Sequence, residues 1–281
     1  MEVTGMAHRE KSQRGEIIAV CSAKGGVGRT VLTVNLAIAL RKKNIQISVV
    51  DGDFQFGDIG LALDIQSTLS IKDIVEEADS LDQYSLVNFL NKHESGIKVL
   101  SAPDRPEYAD LINEPIIDKV LDLLALEHDY VLADTGVGLQ EKNLPFIEKA
   151  DQILLVTTLE MATLKNTKLM LETLETLGLE DKVQIVINRS TMTSVINAGD
   201  VSGILGIESP YYIPNDFNVA SQSLNIGIPF VINQGKTDIS KAYFKMAEQL
   251  TSRREIMVFK QKEPSIWSKL FQQSKRIKEG G

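Results

Sequence analysis

The stretch "EIIAVCSAKGGVGRT", residues 16–30, decides the fold. Its first seven residues are almost continuously apolar, as in a strand buried on both faces. The loop "AKGGVGRT" (23–30) follows at once and leads into helical spacing over 30–43. A glycine-rich turn between strand and helix can be a plain tight connection. Here it also carries a cation at Arg29 and a hydroxyl at Thr30, the context that a phosphate-binding loop requires. Gly25, Gly26 and Gly28 let the backbone curl its N–H groups around phosphate oxygens, Val27 lies among them, and the helix start adds partial positive charge. Thr30 can offer its hydroxyl to a magnesium ion. Two features are unusual: Arg29 stands where such loops usually carry lysine, and a different lysine, Lys24, stands five residues earlier.

Outward from the loop the same rhythm repeats. Val/Ile/Leu-rich runs at 46–51, 97–101, 130–134, 152–158 and 183–188 alternate with helical patterns near 114–126, 160–177 and 239–253. Strands alternating with helices predict an α/β fold: a doubly wound, mostly parallel sheet with helices on both faces. The rhythm is unbroken to about residue 250. It predicts a flexible lead-in over 1–15, one domain over 16–252, and a linker ending at Pro264 with a short tail inside 253–281. At 281 residues with 43% hydrophobic and 24% charged content, the chain has the composition of a globular domain with a sizeable core. No run of about 18 uncharged apolar residues is present, so nothing is expected to span a membrane. The polar first fifteen residues lack the apolar core of a signal peptide, which predicts a cytoplasmic location. Cys21 is the sole cysteine, so an internal disulfide or a cysteine-pair metal site is excluded, and it reads as a small buried strand residue. The histidines, His8, His93 and His128, sit in polar settings and read as surface residues. No Ser/His/Asp or Cys/His set competes as a catalytic centre.

Three further pieces belong with the loop. Strand 46–51 runs into "DGDFQFGD" (51–58), and acidic residues at the C-terminal edge of a parallel sheet point into the ligand crevice. The alternative for Asp51 and Asp53 is a solvated acidic turn, and Gly57 and Asp58 stay open between the two. Strand 130–134 ends in "DTGVG" (134–138), which alone would be a plain turn but is here the third piece in order along the sheet. After strand 183–188 comes "INRS" (187–190), where Asn188 could simply cap its strand, and later "IPNDFNVASQSLNIGIP" (213–229).

These pieces resemble one family. "KGGVGRT" is similar to the deviant Walker A motif, K-G-G-x-G-K-[ST], of the MinD/ParA ATPases, and the resemblance runs over roughly 16–250. It implies a slow ATPase that binds ATP/ADP with Mg2+ and forms a homodimer on ATP. By matching position, Lys24 reaches the partner's phosphates, Arg29 serves the catalytic site, Asp51 and Asp134 help the magnesium shell with Thr30, and Asp53 orients the attacking water. Gly136 and Gly138 belong to the second switch, near the γ-phosphate. Asn188, Arg189, Pro214 and Asp216 are implied as base contacts. "DGDFQFGDIGLALDI" (51–65) looks closest to the CpaE/TadZ branch, which serves Flp or type IV-like pilus assembly.

The net charge is −8, unevenly spread. Residues 253–281 hold eight Lys/Arg against three Glu, a net +5, which leaves −13 for the first 252 residues. An acidic body argues against nucleic acid as a partner and marks the tail as a separate device. In "PSIWSKLFQQSKRIK" (264–278), Ile266, Trp267, Leu270 and Phe271 share a helical face with Ile277, and the cations lie mainly off it. That is the composition of a helix lying in an anionic membrane surface, with packing on the chain's own body or on a partner as the alternative. MinD-type proteins carry such a helix too, so the expectation is a peripheral protein at the inner face of the membrane. Its role is then positioning of a pilus or secretion assembly; MinD-like placement, ParA-like segregation and a weakly hydrolysing scaffold remain beside it.

Overall fold

β1 (Glu16–Ser22) sits at the centre of an eight-stranded sheet, between β5 (Tyr130–Val137) and β6 (Gln152–Thr157), and is parallel to both. The computed structural model describes residues 14–41 and 45–262, apart from the side chains of 253–262. With β2 (Ile47–Gly52), β3 (Asn91–Lys92), β4 (Lys98–Leu100), β7 (Val183–Ile187) and β8 (Tyr211–Tyr212), the strand order is β3-β4-β2-β5-β1-β6-β7-β8. Every pairing is parallel except β3 with β4. The expected doubly wound sheet is therefore present. The connection after β1 runs to β2 on one side and the one after β5 crosses to β6 on the other, so the crevice beyond the C-terminal end of β1 is the place where such sheets bind ligands.

Helices cover both faces. Among the described residues those of ten or more are α1 (Arg29–Leu40), α2 (Glu114–Glu127), α3 (Met161–Thr176), α4 (Phe217–Ile226) and α5 (Asp238–Lys262). Because side chains alternate along a strand, Ile18 and Val20 of β1 face α1 and α5, with Leu36, Leu40, Tyr243 and Leu250. Ile17, Ala19 and Cys21 face α2 and α3, with Leu121, Leu124, Leu164 and Leu174. α2 begins where Asn113 accepts the Ile116 N–H at 3.1 Å and Pro115 fixes the first turn.

Four expectations need correction. β5 does not stop at Asp134 but runs on to Val137, because Ser22 pairs with Val137 after an irregularity in β1 and Gly138 N–H donates to the Ser22 carbonyl at 2.9 Å. The helical pattern of 239–253 extends to Lys262, because no glycine or proline occurs between 236 and 263 to end the helix. His93 and His128 are buried, 7% and 1% exposed. His93 closes the β3–β4 turn through Ser95 Oγ at 2.8 Å, and burial lowers its pKa; His128 ends α2 with Nδ1 3.0 Å from the Leu124 carbonyl oxygen. Cys21 is buried as expected, and burial pushes its thiol up to about 12, against a smaller opposing pull from Arg29. His8, the first thirteen residues and the membrane-face residues Ile266, Trp267, Leu270 and Phe271 lie outside the described residues.

Candidate functional site

The loop after β1 is shaped by two left-handed glycines, Gly26 (φ 76°) and Gly28 (φ 95°). Gly28 is the N-cap of α1, no side chain caps that end, and its first turn holds no acid. The unpaired N–H groups of the helix start therefore face the crevice, where their partial positive charge suits an anion. The loop's carbonyls are tied back on the other side. Asn188 Nδ2 donates to the Val27 carbonyl at 2.8 Å, and Arg189 Nη2 to that of Gly26 at 3.2 Å. Arg189 is itself left-handed (φ 54°), with its N–H on Asn188 Oδ1 at 2.9 Å. These two residues thus shape the loop directly, besides lining the cavity described below. The Lys24 side chain is half-buried and has no partner among the described residues; its carbonyl accepts from Ser22 Oγ at 2.7 Å.

Three carboxylates and one guanidinium share the mouth of the loop. Thr30 Oγ1 donates to Asp134 Oδ2 at 2.7 Å. Arg29 lies between two acids: Nη2 is 3.4 Å from Asp53 Oδ2 and Nε 3.7 Å from Asp134 Oδ1. Its remaining terminal nitrogen, Nη1, donates to Ser22 Oγ at 3.4 Å. Asp134 is almost fully enclosed, and burial raises its carboxyl to about 6, outweighing the opposing pull of Arg29 and Thr30. Asp51 is raised well above the usual range, by burial first and the neighbouring Asp134 second. Its Oδ2 accepts the Ile59 N–H at 3.1 Å, and Gly57 leaves no room for a Cβ, which would lie 2.4 Å from the carboxylate. Asp51 therefore anchors the 53–58 turn. Asp53 Oδ1 accepts the Phe56 N–H at 3.3 Å within that turn.

The 134–138 segment is held by a residue that the sequence did not single out. Asn143, 3% exposed, accepts the Gly136 N–H at 3.1 Å and donates to the carbonyls of Gly138 at 2.9 Å and Val137 at 3.3 Å. A side chain at Gly136 would meet Asn143 Oδ1 at 2.9 Å, and Gly138 is left-handed (φ 73°). Asn143→Ala removes all three bonds and leaves buried polar groups unpaired, so a stability loss of about 2–3 kcal/mol is expected in a urea melt. A loss under half of that would mean that the segment holds itself.

Beside the loop, a cavity of about 150 Å³ is lined by Gly28, Val31, Asn188, Arg189, Pro214, Asp216, Leu224 and Tyr243, among others. Asp216 caps α4 by accepting the Val219 N–H at 3.1 Å. The residues expected to contact a base are thus gathered at one opening, with apolar walls suited to a flat ring and a polar rim.

A family profile described as an AAA domain matches residues 15–187, more than half of the chain. The chain belongs to that family. It is a MinD/ParA-like P-loop ATPase. It is 27% identical over 244 residues to the septum site-determining protein MinD of Thermotoga maritima, covering 84% of this chain and 88% of that protein. In fold it matches a ParA family ATPase from Chlorobium tepidum with a TM-score of 0.78 at 23% identity, over 84% of this chain and 99% of that one. It likewise matches MinD of Pyrococcus horikoshii, solved with Mg-ADP, with a TM-score of 0.75 at 24% identity, over 86% and 98% of the two chains.

The residues of this ATPase fit the magnesium that such a family implies. Asp134 Oδ1 and Asp51 Oδ1 are buried without a hydrogen bond, and the available donors are hard oxygens. No group of three or more His, Cys, Asp or Glu among the described residues could hold a metal alone. Thr30, Asp51 and Asp134 would be the residues to hold it, with the other positions left to phosphate and water, as magnesium prefers.

Proposed function

We propose that this ATPase binds Mg-ATP at the 23–30 loop, pairs with a second copy when ATP is bound, and works at an anionic membrane surface to position a Flp or type IV-like pilus or secretion assembly. The observation that carries the nucleotide reading is the uncapped start of α1, whose first residues Arg29 and Thr30 meet Asp134 at the end of the neighbouring strand. In this reading the loop's N–H groups and Arg29 hold the phosphates. Thr30, Asp51 and Asp134 would hold magnesium, which would neutralise charge on the transferring phosphoryl group. Asp53 takes and orients the attacking water once Arg29 turns to phosphate. Lys24, with no partner among the described residues, reaches the second copy's phosphates in this reading. Phe56 and Leu61, both largely exposed on the segment anchored by Asp51, supply apolar surface for pairing.

The tail supplies the membrane reading. One short basic helix binds a surface weakly, at roughly 1 kcal/mol per cation, whereas two in a dimer bind far better because the second insertion is intramolecular. Trp267 is the only tryptophan, so its emission reports on the tail alone. With anionic vesicles a blue shift is expected in Mg-ATP that fades in Mg-ADP. No shift in either state would remove the membrane helix, and an equal shift in both would keep the anchor but remove the ATP switch.

The pilus assignment rests on the 51–65 resemblance. The names of the curated relatives favour a second reading, placement of a division site. Cells lacking the chain separate the two: lost surface pili support the first reading, and misplaced septa the second. The arginine that already engages Asp53 favours slow turnover or a nucleotide-responsive scaffold. A wild-type rate matching that of Arg29→Lys would remove the scaffold.

A further inference from the structure

Arg29 spends three different nitrogens on three partners. Nη2 faces Asp53 Oδ2 at 3.4 Å, Nε faces Asp134 Oδ1 at 3.7 Å, and Nη1 donates to Ser22 Oγ at 3.4 Å. The side chain is only 10% exposed, and Asp134 only 2%. A guanidinium cannot lose its proton, and its planar fork can bridge two carboxylates where a lysine ammonium offers one compact charge. Asp134 Oδ1 makes no hydrogen bond, so Arg29 satisfies its charge without satisfying its lone pairs. That oxygen belongs to the carboxylate whose Oδ2 accepts from Thr30, and both residues are among those assigned above to magnesium.

We propose that Arg29 is the resident counter-cation of the nucleotide-free site: it compensates the charge of Asp53 and Asp134, so the metal enters only together with a nucleotide whose phosphates draw the guanidinium away. This rests on the reading of the loop as a Mg-nucleotide site. The consequence is an exchange of partners. Arg29 passes from carboxylates to phosphates, which leaves Asp134 free to hold a metal ion, and Asp53 is released to orient water. A free divalent ion brings no anion for Arg29 and must enter against a fixed positive charge, so it binds only weakly. Asp53 is thereby kept paired with Arg29 until phosphate has arrived.

The test uses Mn2+ as the probe, followed by electron paramagnetic resonance in the absence of nucleotide. Mn2+ alone is expected to bind the wild-type site only weakly, and Arg29→Met to bind it at least roughly tenfold tighter, the scale of coupling between two ligands that share a site. Arg29→Lys should fall between them, and it carries the test if the methionine variant does not fold. Adding Asp134→Asn to Arg29→Met should return binding to the wild-type level, which ties the gain to this carboxylate. Wild-type protein that binds Mn2+ alone as tightly as the variants would overturn the proposal, and so would variants that stay at the wild-type level. Wild-type protein with Mn2+ and ADP, run alongside, tests the nucleotide-site reading separately: tight binding there with only weak binding of Mn2+ alone supports both.

Discussion

Asp134→Asn is expected to make the nucleotide-free protein more stable at neutral pH while cutting ATP turnover by at least about 100-fold, the usual scale for losing one preorganised electrostatic partner of the transition state. The stability gain follows from the direction of the shift. Burial raises the Asp134 carboxyl to about 6 from its ordinary 3.8, so between those values the folded state holds a proton that the unfolded chain has released. Stability from this group is fully present below the unfolded value, falls as pH rises through the window between the two, and is flat above about 6. At about 1.4 kcal/mol per pH unit, the loss comes to roughly 3 kcal/mol. Asparagine keeps the shape and can accept from Thr30, but it carries no charge to desolvate. Melts of the two proteins should therefore differ by several degrees at neutral pH and converge towards pH 4. A variant less stable than wild type at neutral pH would mean that the Arg29 and Thr30 contacts outweigh burial, and undiminished turnover would remove Asp134 from the metal site.

The second large effect is expected at Gly28. An added Cβ would lie 2.5 Å from Asn188 Nδ2, at a φ of 95° that side chains rarely adopt. Either Asn188 releases the Val27 carbonyl or the start of α1 shifts; both change the phosphate cradle. Gly28→Ala should weaken Mg-nucleotide binding by at least about tenfold, with strain on the order of 1–3 kcal/mol in the melt. Gly26→Ala is the informative control. Its φ is also positive, at 76°, but nothing lies within 4 Å of the added atom, so it bears the backbone cost alone. Equal nucleotide affinity for both variants would show that the Asn188 contact is not what shapes the loop.

The sequence made the central strand, the loop and the order of the acidic pieces legible because each is local. Apolar runs mark buried parallel strands, and glycine spacing marks the turn. What it did not reveal depends on contacts between distant segments. Asn143 lies in an unremarkable polar stretch, and only folding brings it to the 134–138 backbone. The extension of β5 to Val137 depends on an irregularity in β1, which alternation within β5 cannot show. His128 has polar neighbours in sequence but is buried at the end of α2. Asp51 and Asp53 read alike as acids at a strand end. One anchors a turn through Ile59, and the other meets Arg29. Asn188 was expected at a base, yet its amide already holds the Val27 carbonyl.

These contacts all converge on the occupancy of one crevice, so the most direct measurement is a calorimetric titration of the wild-type protein with Mg2+ and a nonhydrolysable ATP analogue. Saturable binding approaching one nucleotide per chain is expected, strongly weakened when magnesium is withheld or Asp134 is replaced by asparagine. Heats indistinguishable from dilution up to millimolar nucleotide, with magnesium present, would contradict the account.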